Sequence, residues 1–129
     1  MLQHIASVTL LVDDYDTAIG YFAETLGFLL TTDEPRANGD RWVVVTPSGG
    51  GAAIRLSKAR EQRQRDAIGS QAGGRVLIVL MTDDLERDYA AYQARGVTFL
   101  EEPRHEAYGS VAVFADRWGN RWDLIQPSR

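Results

Sequence analysis

The chain states one plan twice. SVTLLVDDYDTAIGYFAETLGF near the start and LIVLMTDDLERDYAAYQARGVTF in the second half each run through an apolar stretch, an Asp-Asp pair, a helical stretch and a Gly. Ser7 aligns with Leu77, Val12 with Thr82 and Asp13 with Asp83, at a constant offset of 70 residues. Further on, AAIRLS (52–57) matches NRWDLI (120–125), which sets Arg55 against Asp123 at an offset of 68, a drift explained by one loop. Solenoid repeats are shorter than this, so the pattern indicates two duplicated modules.

Residue periodicity predicts a β-α-β-β-β order in each. In the strand Ile5 to Val12, Val8, Leu10 and Val12 point one way and Ser7, Thr9 and Leu11 the other. Asp13, with Asp16 in a capping-box-like spacing, starts a helix whose apolar stripe is Ala18, Ile19, Phe22, Ala23 and Leu26. Gly27 stops it in a left-handed conformation. Strands follow at 28–32, 41–46 and 52–57, the last two joined by a Pro-Ser-Gly-Gly-Gly turn. The copy has a strand at 75–81, a helix capped by Asp83 with Glu86 and carrying Leu85, Tyr89 and Tyr92, and Gly96 as its stop. Strands at 97–100, 110–114 and 121–126 complete it. The expected layout is a single domain over 1–129, with module one at 1–57, a polar linker with a helical turn at 58–74, and module two at 75–129.

A chain of 129 residues buries roughly two-thirds of its unfolded surface and needs no staple. With no cysteine it has neither a disulfide framework nor a thiolate for chemistry. Its net charge of -4 opposes nucleic-acid binding, and no apolar run approaches a membrane span. A cytoplasmic protein is the default expectation.

The segments VDDYDTAIGYFAETLGF, TDDLERDYAAYQARGV and VAVFADRWGNRWDLI resemble the glyoxalase, bleomycin-resistance and extradiol-dioxygenase superfamily, the vicinal oxygen chelate proteins. The likeness spans essentially the whole chain. It implies an α+β fold in which two βαβββ modules form a cup-shaped mixed β-sheet with helices outside, completed in a homodimer.

In metal-dependent members of that family, ligands come from the first and last strands of each module. The corresponding positions here are Ser7, Arg55, Leu77 and Asp123. Leu77 offers no lone pair, a neutral Ser7 hydroxyl is a weak ligand, and Arg55 keeps its proton at any physiological pH. A transition-metal site needs about three or four nitrogen, sulfur or carboxylate donors, so no metal and no cofactor are expected. Of the two histidines, His4 has the wrong strand parity to join Ser7, and His105 lies in the 103–109 loop, where each reads as a solvated ring.

Two readings of Arg55 and Asp123 stand side by side. They pair with each other to fill the cavity, or Arg55 presents its planar fork to a ligand carboxylate, phosphate or enolate with Asp123 as orienting partner or general base. Trp42 and Tyr108 are candidates for stacking on a flat ligand, against packing or dimer contact. Trp122 is expected in the core, and Trp118-Gly119-Asn120 after Asp116 is a structural turn. Lys58, Arg60, Arg63 and Arg65, interleaved with Glu61 and Asp66, read as a solvated face.

The expectation is a metal-independent protein that binds a flat or amphipathic small molecule through Ser7, Trp42, Arg55, Leu77, Tyr108 and Asp123. The alternatives are a metal-free enzyme that moves a proton with Asp123 and Arg55, and a metal-dependent lyase or dioxygenase.

Overall fold

Alternation of apolar and polar residues makes Ser7–Val12 the first strand, β1. In a computed structural model describing residues 1–128, it is followed by the helix α1 (Tyr15–Gly20), whose last turns widen into a π-helical stretch at Tyr21–Thr25. There Leu26 N–H reaches back five residues to Tyr21 C=O at 3.0 Å. Next come β2 (Leu29–Pro35), β3 (Arg41–Thr46), β4 (Ala53–Lys58) and the short helix α2 (Gln62–Ala67). The sheet order is β1-β4-β3-β2, with β1 parallel to β4 and the other pairs antiparallel. One sheet face carries Leu10, Val12, Val43, Val45, Ile54 and Leu56, all buried, and α1 packs on β3 and β4 with Ala18 buried.

The second unit repeats the plan. It contains β5 (Val76–Met81), α3 (Leu85–Ala94), β6 (Thr98–Phe99), β7 (Arg104–Glu106), β8 (Gly109–Ala115) and β9 (Arg121–Pro127). The order is β5-β9-β8-β6, with β7 also on β8 and β5 parallel to β9. Trp122 is fully buried and stacks on Phe114 with centroids 5.5 Å apart, as a core residue should. The chain divides into two compact units, Met1–Ile68 and the remainder from Gly69, so the boundary falls within the polar 58–74 stretch.

The α+β class and the duplicated plan stand as expected, and the strands form two separate mixed sheets of four and five strands. Three local expectations are corrected. The helix caps are Asp14 and Asp84, not Asp13 and Asp83: Asp14 accepts from Thr17 N–H at 2.9 Å and Asp84 from Arg87 N–H at 3.0 Å. An Asp-Asp pair offers two caps, and the second residue is the one held extended before the first turn. The expected strand at 97–100 is shortened to Thr98–Phe99, and the 103–109 segment, expected as a loop, contains the separate strand β7. Proline has no N–H to give a ladder, so one long strand there is disfavoured. Gly27 and Gly96 close their helices with φ of 77° and 88°, as the sequence predicts.

Candidate functional site

Arg55 stands in the middle of β4, in register with Thr9 of β1 and Val44 of β3. Its neighbours Ile54 and Leu56 are buried on the helix side, so its side chain leaves the opposite face. Trp42, two residues before Val44 on β3, shares that face, and the Arg55 guanidinium carbon lies 3.9 Å from the Trp42 ring centroid. This is close stacking of a planar cation on an aromatic surface. A second guanidinium, that of Arg36, lies 5.6 Å from the same centroid and is paired with Glu34 at 3.3 Å. Nε of Arg55 is buried without a hydrogen-bond partner among the described residues. Ser7 is exposed on the same side of β1, in register with Ala53.

Asp123 occupies the matching position in the second unit: it lies on β9 between Val79 of β5 and Val113 of β8, as Arg55 lies between Thr9 and Val44. The equivalence read from the sequence therefore reappears as ladder register. Asp123 is half-buried, and its face also carries Met81, Val111 and Ile125. Leu77 does not match Ser7 in geometry. Val76 pairs with Arg121 and Ile78 with Trp122, which leaves Leu77 as the extra residue of a β-bulge. Tyr108 is 55% exposed in the turn between β7 and β8. His105, on β7 rather than in a loop, is exposed and its Nδ1 lies 2.7 Å from Ser110 Oγ. His4 precedes β1 and is exposed.

Of the six candidate positions, Arg55 and Trp42 touch, and Ser7 shares their sheet face; Leu77, Tyr108 and Asp123 belong to the second unit. Sequence reasoning missed Arg36, which follows β2 and has no periodic signal. It also passed over Thr9, the direct neighbour of Arg55, although its strand parity with Ser7 was readable.

The four positions that carry ligands in metal-dependent relatives do not fit a divalent ion: they hold a hydroxyl, a guanidinium, an alkyl group and one carboxylate. Among the described residues no three His, Asp or Glu side chains are grouped to hold one. The acidic hub of the second unit is structural instead. Buried Asp116 accepts from the N–H groups of Trp118 and Asn120, from Asn120 Nδ2 and from Trp122 Nε1, each at 3.0 Å. No helix among the described residues is long and apolar enough to cross a membrane.

Known proteins share this architecture from end to end. An uncharacterized protein of Shewanella frigidimarina (strain NCIMB 400) is 47% identical over 128 residues, covering 98% of this chain and 95% of its own. The crystal structure of UcmS2 is 30% identical with a TM-score of 0.82, covering 97% of this chain and 98% of that one. TnmS3, an antibiotic binding protein from Streptomyces sp. CB03234, is 31% identical with a TM-score of 0.79 and 98% coverage of both chains. The sequence pattern of one family matches residues 2–124. The chain belongs to the Glyoxalase/Bleomycin resistance protein/Dioxygenase superfamily.

Proposed function

We propose that this protein is a metal-independent binding protein that recognises or sequesters a flat or amphipathic small molecule. The observation that carries this reading is the Arg55 guanidinium stacked on Trp42 where metal-dependent relatives place a carboxylate ligand. A fixed cation there repels a divalent ion, while an aromatic surface beside it suits a planar organic molecule. The similarity to TnmS3, an antibiotic binding protein, supports the same class of ligand. On this reading Ser7, Trp42 and Arg55 of the first unit carry the binding face. The reading includes a homodimer and a cytoplasmic location, the former open to light scattering.

The test is a calorimetric titration of the purified protein with aromatic and bleomycin-type antibiotics, beside elemental analysis of the same sample. Binding in the micromolar range by metal-free protein is expected. Silence across the panel, or stoichiometric zinc, nickel, iron or manganese, counts against it.

A further inference from the structure

We infer that the Arg55–Trp42 pair is an acid-recognition subsite, so that the ligand carries a carboxylate or comparable planar oxyanion next to its flat ring. The inference rests on the binding reading above and narrows it from flat molecules to flat acids.

Three observations lead to it. First, Arg55 projects from the centre of its sheet on the face away from the helix, among Thr9, Val44 and Trp42, which carry no charge to neutralise it. Second, its guanidinium lies 3.9 Å from the Trp42 centroid. Stacking of this kind fixes the plane of the fork, so the in-plane N–H groups are already oriented for an acceptor and little freedom is lost when one arrives. Third, Nε is buried with no acceptor among the described residues. A buried donor without a partner is costly, and a carboxylate gripped by Nε and one terminal nitrogen removes that cost while forming two charge-assisted bonds. On this inference, acid binding moves the guanidinium enough to bring Nε to the incoming oxygen. A bidentate grip sets the ligand's pose as well: the acid group lies in the plane of the fork, next to the Trp42 ring.

The rest of the surroundings suit an acid better than a neutral molecule. The second cation near the ring, Arg36, is held by Glu34, and Arg41 at the start of the same strand is held by Asp33 and Asp16. Those charges are balanced locally. Glu34, opposite Trp42 on that face, is taken up by Arg36, and among the described residues no carboxylate forms an ion pair with Arg55.

The experiment uses 2-naphthoate and its neutral isostere 2-naphthamide as probes, titrated calorimetrically into the full chain and into Arg55→Met and Arg55→Lys. Wild type is expected to bind the acid at least about tenfold more tightly than the amide, the range of a charge-assisted pair. Arg55→Met brings the two within about twofold by weakening the acid alone. Arg55→Lys keeps the charge without the fork and retains part of the preference, which also guards against a misfolded Met variant. Equal binding of acid and amide by wild type, or a preference that survives Arg55→Met, overturns the acid inference and leaves the binding reading standing. If neither compound binds at millimolar concentration, the flat-ligand reading falls too.

Discussion

Four donors converge on the Asp116 carboxylate, and the side chain is 5% exposed. Two are backbone N–H groups of the turn that leads into β9, and one is the indole of Trp122, the largest fully buried side chain. Asp116→Ala leaves all of them without an acceptor in a dry environment, so a loss of about 3–4 kcal/mol is expected in urea unfolding at neutral pH. A result below about 1 kcal/mol would mean that water replaces the carboxylate. The structural role of this turn was legible in the order Asp-Arg-Trp-Gly-Asn. What was not legible is how Arg55 spends its charge: strand parity says which face a side chain leaves, but not whether its long chain folds onto Trp42. Leu77 shows the same limit, since a bulge adds one residue without any mark in the apolar run.

Among elements, α1 and the segment leading into α2 meet at Asp40, the residue just before β3. Tyr15 donates to Asp40 at 2.6 Å, and Arg60, just before α2, meets the other oxygen at 2.5 Å. These bonds hold the Asp40 carboxyl down at about 2, against the usual 3.8. An acid lowered in this way adds stability that is complete above its unfolded value and disappears as pH falls through its folded one. The lead of wild type over Asp40→Asn in urea midpoint should therefore be steady above about pH 4 and close by about pH 2. A gap that persists at the acid end would assign the effect to packing.

Two glycines test the backbone from opposite directions. Gly20 is helical with open space where a Cβ would go, so Gly20→Ala should stabilise by about 0.5–1 kcal/mol. Gly69 has φ +79° and a Cβ there would sit 1.9 Å from the Trp118 carbonyl oxygen. Gly69→Ala should cost about 3 kcal/mol or more, read from the same denaturation curves. Apart from β7, expected as a loop, the strands were legible to within a few residues because alternation and Gly stops are local signals. The caps were misplaced by one because two adjacent aspartates carry the same signal.

At the scale of the molecule, duplication preserved the scaffold and let the chemistry diverge. Equivalent central positions became Arg55 and Asp123, and the hydroxyl-bearing Thr9 beside the one corresponds to the aliphatic Val79 beside the other. If no ion is part of the fold, as proposed, dialysis against EDTA should leave the thermal midpoint within about 1 °C of the untreated protein, whereas loss of a structural metal lowers it sharply. The duplicated plan was open to view in the sequence because offset and order are global properties. The identity of a bound molecule is not, because it depends on side-chain placement within each face.

One outermost strand of each sheet is interrupted: β2 bulges between Leu30 and Thr32 and ends at Pro35, and in the second unit β6 and β7 are separated by a segment containing Pro103. Neither of these two rims therefore offers the long straight row of free amides that a stray chain needs as a template. Straightening one of them, for instance by replacing Pro103, would trade colloidal safety for a zipper-like self-association that no change at the ligand face could reverse.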